Sequence, residues 1–218
     1  MKISVCMCRF YNRISEATII TVAASAIEAG FECEIVPDLC YISAKEPDKL
    51  SRIASCDVVL ACQPRAVHAL LGNPVSVNCI DIRKMTIDEI LASLSLPIAK
   101  QPLDLYVEEL LSDWVPWFPV IDANRCVHCK KCVDFCMFGV YSIDADKVCV
   151  TKPDACKTDC PACARICPQN AIIFPKSEEE LVNGSLIDPV KPSAEAKKSF
   201  AERLRHRKRV PLFKEDEQ

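Results

Sequence analysis

Two short runs of cysteine constrain this chain more than any other feature of its 218 residues. The first is Cys126, Cys129, Cys132 and Cys136, spaced C-x2-C-x2-C-x3-C. The second is Cys156, Cys160, Cys163 and Cys167, spaced C-x3-C-x2-C-x3-C and followed by Pro168. With the remaining cysteines the total is 16, far more than a chain carries without a use for thiolates. Glycine occurs only 4 times, and neither GxGxxG nor GxxxxGK[ST] is present. Nucleotide or flavin binding through those loops is therefore not expected. A composition 50% hydrophobic and 26% charged is that of an ordinary globular protein, and a net charge of −3 does not suit a polyanion binder.

The amino terminus bears on the compartment. Met1–Lys2 leads straight into Ile3-Ser4-Val5-Cys6, which reads as a core strand rather than a signal peptide. The most apolar stretch, residues 17–29, is interrupted by Thr18, Thr21, Ser25 and Glu28 and is too short to span a bilayer. The expectation is a cytoplasmic chain with no membrane span. Its thiols are then reduced and serve as metal or cluster ligands plus core filler, not disulfides.

Three thiolates crowded into one tight loop suit a cuboidal iron–sulfur cluster, because backbone N–H groups of the loop can point at its sulfurs. The fourth cysteine of each run falls in the following helical turn and faces the other way, so it ligates the neighbouring cluster. On that logic Cys126, Cys129, Cys132 and Cys167 hold one [4Fe–4S] centre. Cys156, Cys160, Cys163 and Cys136 hold the other. Zinc prefers isolated CxxC pairs that close a tetrahedron, which overlapping C-x2-C-x2-C does not match. His128 lies between ligands and reads as a surface or supporting residue, and Cys149 as a small core residue in a strand-like context.

Residues 119–175 resemble a bacterial two-[4Fe–4S] ferredoxin domain, including the length of the loop between Cys136 and Cys156. The resemblance implies an α+β ferredoxin-like fold and single-electron transfer. Two departures stand out: Met137 replaces the proline usual after the first run, and one extra residue separates Cys156 from Cys160. Each tetrad is followed by a short apolar strand, residues 140–143 and 171–174.

Residues 1–96 alternate strand-like and helix-like segments. Strands are expected over 3–8, 32–36, 57–61 and 74–82. Helices are expected over 14–29 (ending at Gly30), 47–54, 64–71 with Pro64 in the first turn, and 86–94 with Thr86 and Glu89 as a capping box. Repeated βα units imply a four-stranded parallel sheet, a small Rossmann-like α/β domain. Seven cysteines lie here. Cys33, Cys56 and Cys79 sit at strand beginnings or interiors, where burial is the default. Cys6, Cys8, Cys40 and Cys62 instead gather at carboxyl ends of strands, where open α/β folds put ligands. Val5-Cys6-Met7-Cys8, then Cys40, then Ala61-Cys62-Gln63-Pro64-Arg65 resembles the N-terminal domain of the flavin-binding heterodisulfide reductase subunit. That family associates these positions with an additional [4Fe–4S] cluster, so the resemblance implies Cys6, Cys8, Cys40 and Cys62 as ligands of a possible third cluster. Arg9 stands where the family usually has glycine. Reduced core cysteines, or a thiol redox or other metal site, are the alternatives. Arg65 and His68 supply positive charge near the site or lie on a solvated helix face.

Residues 97–118 form a linker with a candidate helix over 103–111. Its Trp114-Val115-Pro116-Trp117-Phe118-Pro119 run reads as hydrophobic glue between domains, with a partner-docking patch as the alternative. Residues 176–218 read as a polar tail, helical or flexible, with a basic helix over 194–209 whose run at 203–209 lacks interleaved aromatics for base stacking.

The implied function is an iron–sulfur electron-transfer protein or part of a soluble multi-subunit redox complex. Its expected partners are redox proteins rather than nucleic acid, with catalysis belonging to a partner. A disulfide or sulfur-compound reductase with its active site at the N-terminal cysteines is the alternative. A cluster-based redox sensor that binds DNA through the tail is a third class, and no helix-turn-helix pattern supports it.

Overall fold

Alternation along the first strand sorts its side chains onto two faces. In β1 (Lys2–Cys6) Ile3 and Val5 enter one apolar core and Cys6 another. β3 (Val58–Ala61) divides the same way, Val58 and Leu60 against Val59 and Ala61. With β2 (Glu32–Val36) and β4 (Asn78–Asp81) they form a four-stranded parallel sheet of order β2-β1-β3-β4. The computed structural model describes residues 1–74, 76–100, 110 and 112–185 of the chain. The candidate helix at 194–209, its basic run and nearly all of the candidate helix at 103–111 lie outside the described residues.

A parallel sheet must be covered on both faces, and this one is. α1 (Glu16–Glu28) and α5 (Ile87–Ser93) bury Ile19, Val22, Ile90 and Leu91 on one side. α2 (Leu39–Lys45), α3 (Leu50–Ala54) and α4 (Pro64–Leu70) bury Leu39, Ile42, Ile53 and Val67 on the other. Local signals set the helix ends. Ser15 Oγ accepts the Thr18 N–H at 3.1 Å, Gly30 leaves α1 at φ +81°, and both halves of the Thr86–Glu89 capping box are present.

The α/β architecture with a parallel sheet is thus as the sequence pattern implies, with three local differences. β1 stops at Cys6 rather than residue 8, because Cys8 takes a left-handed conformation (φ +52°) that ends the strand. β4 is confined to Asn78–Asp81 within the expected 74–82. α2 has no counterpart in the sequence reading. Its segment LCYISAK mixes a β-branched and an aromatic residue, a weak helix signal. Asp38 supplies the missing start, its Oδ1 accepting the Tyr41 N–H at 3.2 Å.

The cysteine-rich half is built from two similar pieces. α6 (Lys131–Phe135) and α7 (Ala162–Ile166) each carry the third cysteine of a run. β5 (Val120–Ile121) pairs antiparallel with β8 (Ile172–Ile173), and β6 (Tyr141–Asp144) with β7 (Lys147–Val150). Trp117, Val140, Ile172, Phe174 and Val182 share its core. Cys149 is not the core residue expected: Val148 takes the buried face of β7, so Cys149 points the opposite way and is only partly buried.

The aromatic run is internal. Trp117 packs on Phe174 (5.4 Å between centroids), while Trp114 stacks on Phe118, which belongs to the core beneath the sheet. The chain beyond β8 folds back as well, the Phe174 N–H donating to the Val182 carbonyl at 2.7 Å. Gly184 ends this return at φ +92°, where an added Cβ would lie 3.0 Å from both Ala66 of α4 and Ile173 of β8. Gly184→Ala is therefore expected to destabilise the protein by more than about 1 kcal/mol. A scanning-calorimetry melt of the variant should show a lower apparent melting temperature; an unchanged one would mean the close approach is relaxed at no cost.

Candidate iron–sulfur sites

The two runs of cysteine end in the same way. Cys132 lies in α6 and Cys163 in α7, and each helix stops at the fourth cysteine of its run. Cys136 (φ −79°, ψ 104°) and Cys167 (φ −69°, ψ 115°) have left helical geometry for extended geometry. Residues four apart would share a face in a continuing helix; here the chain turns away first. Cys126, Cys129, Cys132 and Cys167 consequently line one cavity. Cys136, Cys156, Cys160 and Cys163 line a second. The first encloses about 380 Å³ of empty space and the second about 1160 Å³, open mouths included. The wider mouth is rimmed by exposed Phe135, Met137 and Phe138, and Met137, standing in place of proline, is 87% exposed.

The loops between the cysteines turn through left-handed residues. His128, Lys130 and Asp159 all have positive φ (50°, 64° and 59°) despite carrying side chains. Left-handed residues of this kind turn successive backbone N–H groups toward one side, making concavities that bind phosphates and iron–sulfur centres. The strain, about 1–3 kcal/mol each, is the sort stored at functional sites. Cys167 Sγ already accepts the Ala171 N–H at 3.3 Å. His128 pins the first loop to β7, its Nδ1 accepting the Val148 N–H at 3.0 Å. Among the described residues, no three His, Cys, Asp or Glu side chains close round a single metal ion.

Burial pushes the Cys132 and Cys163 thiols up to about 11 and Cys156 to about 12. Thiols this reluctant to ionise need a cationic partner before they become thiolates, and an iron core is one. Four cysteines lining one cavity are the donor set of a [4Fe–4S] group, and both quartets fit it. Tyr141 is buried beside them, its hydroxyl near the Cys163 thiol, and burial pushes that phenol strongly upward.

A second gathering of sulfur lies on the sheet. β1 and β3 are neighbours whose crossovers run to opposite sides, so their carboxyl ends form the crevice where such sheets bind ligands. Cys6 and Cys8 leave β1 there, Cys62 leaves β3, and Cys40 stands in the first turn of α2. All four belong to, or pack against, one apolar core. Cys6 Sγ accepts the Leu39 N–H at 3.4 Å. Cys8 itself makes the turn after the strand, with the Tyr11 and Asn12 N–H groups donating to its carbonyl, so Arg9 stands in no position that demands glycine. Burial raises the Cys6 and Cys40 thiols well above the ordinary range and Cys62 to about 11. Cys33, Cys56 and Cys79 lie at or just before strand starts, with Cys56 and Cys79 in that same apolar core.

Two residues at this crevice escaped the sequence reading. Lys176, three residues past β8, is buried against Asp38, with Nζ 2.5 Å from Asp38 Oδ2 and 3.2 Å from Cys8 Sγ. A lysine in a polar-looking tail and an aspartate after a strand give no sequence signal of meeting. Arg65 also proves to be neither a solvated nor a cysteine-facing charge. It reaches across to Asp122 at 2.8 Å and to the Asn170 carbonyl, tying α4 to the loop that leads into Cys126.

Residues 118–141 match the 4Fe-4S binding domain family. A stretch of 42 residues is 48% identical to an uncharacterized ferredoxin of Methanocaldococcus jannaschii, covering 19% of this chain and 29% of that protein. The cysteine-rich half is accordingly an iron–sulfur, ferredoxin-like domain that binds [4Fe–4S]. No helix among the described residues is long and apolar enough to cross a membrane.

Arg65 and Asp122 are both well buried, and without Arg65 the carboxylate keeps only the longer ion pair to Arg125, at 3.8 Å. Arg65→Met, which also loses the bond to the Asn170 carbonyl, is expected to cost about 1–3 kcal/mol. A lowered apparent melting temperature with faster loss of visible absorbance in air would agree; a wild-type melt would show the pair to be dispensable.

Proposed function

We propose that this protein is an electron-transfer protein, or the electron-transfer subunit of a multi-subunit oxidoreductase, with three [4Fe–4S] sites. Two crossed quartets in a bacterial two-cluster ferredoxin arrangement, Cys126/Cys129/Cys132/Cys167 and Cys136/Cys156/Cys160/Cys163, hold one cluster each. Cys6, Cys8, Cys40 and Cys62 hold a third, on a Rossmann-like sheet of the kind found at the N terminus of the flavin-binding heterodisulfide reductase subunit. The observation that carries the reading is the sharing of cavities, in which each run gives its last cysteine to the other's site. When bound, each cluster takes up and gives back one electron spread over iron and sulfide.

The chain's own residues do the rest. Left-handed turns at His128, Lys130 and Asp159 shape the loops, and N–H groups of Ala171 and Leu39 meet Cys167 and Cys6 sulfurs. Hydrogen bonds to sulfur and burial are the levers that set potential. Cys156 of the second quartet packs against the same apolar core that contains Cys6, Cys8 and Cys40. The ferredoxin-like half and the sheet are therefore contiguous, which suits a relay. A reductase with free reactive thiols at the crevice is less well supported, since burial disfavours ionisation of Cys6, Cys40 and Cys62. Redox partner proteins and a cytoplasmic setting belong to the same proposal.

Iron and acid-labile sulfide counts on anaerobically purified protein test it. The wild type should carry about twelve iron atoms per chain, four per cubane, and Cys40→Ala about eight, with the two ferredoxin-like signals intact in EPR. About eight in both proteins would remove the third site and leave the crossed pair. Colourless protein holding only zinc would remove all three.

A further inference from the structure

Lys176 is 3% exposed and its partner Asp38 is fully buried. The two come from opposite ends of the fold, Asp38 from the start of α2 and Lys176 from the segment after β8. Buried charge is expensive unless paired, and a pair in such a place needs a reason. This one is directional. Nζ bridges Asp38 Oδ2 and Cys8 Sγ, and the Tyr11 ring covers it at 5.3 Å. Arg13 fixes the backbone that carries it by donating to the Ser177 carbonyl at 3.3 Å and to the Lys176 carbonyl at 2.5 Å. The buried Asp38 carboxylate, 2.5 Å from Nζ, is the counter-charge that keeps the ammonium in this place. The ion pair thus lies against the cysteine group with its cation on Cys8.

We propose that Lys176 is the positioning cation of the N-terminal cysteine site, delivered by the ferredoxin-like half to make that site easier to reduce. The inference rests on the reading of Cys6, Cys8, Cys40 and Cys62 as cluster ligands. Reduction by an external one-electron donor adds one negative charge to the site, with no bond made or broken and no proton moved. A fixed ammonium in a dry, low-dielectric crevice stabilises the more negative form. Asp38 opposes it and holds the ammonium in place.

The test is a potentiometric titration of full-length anaerobic protein, followed by EPR, with iron counted in every sample. Lys176→Met should move the N-terminal signal to more negative potential by at least about 59 mV, a tenfold change in a one-electron equilibrium. Lys176→Arg should restore most of the shift. Asp38→Asn keeps the helix cap, since asparagine caps as well as aspartate, and should move the same signal the opposite way. The two ferredoxin-like signals should stay where they are. Should Lys176→Met fail to assemble the site, Asp38→Asn decides alone: an unmoved or downward midpoint overturns the proposal. About twelve iron atoms with equal midpoints in all variants overturns the lysine's role and leaves the third cluster standing. About eight iron atoms in the wild type overturns the third cluster and the lysine's role together.

Discussion

The exchange of one cysteine between two neighbouring loops organises the cysteine-rich half. Because α6 and α7 stop at Cys136 and Cys167, each short helix gives its third cysteine to one cavity and the fourth to the other. Neither five-residue helix would persist alone, since helix nucleation costs more than so short a segment returns. The core of Trp117, Tyr141, Ile172 and Phe174 holds them together in the protein part, and shared ligands would bind them further. Left-handed turns between the cysteines complete the arrangement, at a cost in backbone strain that a bound group offsets.

Shared parts likewise join the ferredoxin-like half to the parallel sheet. Phe118, Val120 and Ile173 enter the core under the sheet. Three polar ties cross the boundary: Arg65 to Asp122, Lys176 to Asp38, and the half-buried Arg13 to the backbone at Lys176 and Ser177. Gly184 lets the returning chain lie directly on α4. Electron transfer benefits from such rigidity, because a fixed protein environment does not have to reorganise each time a site changes charge.

Most of the local structure was legible in the sequence because it rests on local chemistry. The capping box at Thr86, Gly30 after α1 and the β2 strand each depend on a few adjacent residues. The cysteine spacing carried the grouping of sulfurs for the same reason, as a helix stop after four residues is a near-neighbour event. What stayed hidden depends on contacts distant in the chain. α2 forms because Asp38 caps it and the sheet core covers Leu39 and Ile42, not because LCYISAK favours helix. Lys176 finds Asp38 across 138 residues, and Arg65 finds Asp122 across 57. Cys149 shows the opposite error, an apolar context whose buried face belongs to its neighbour Val148.

The central claim is that the crossed quartets each hold a whole iron–sulfide cube. Native mass spectrometry of protein purified without oxygen weighs the intact assembly directly. The account predicts a mass excess over the polypeptide equal to at least two complete Fe4S4 units, retained when the ions are gently activated. A bare polypeptide, or an excess accounted for by zinc atoms alone, would contradict it.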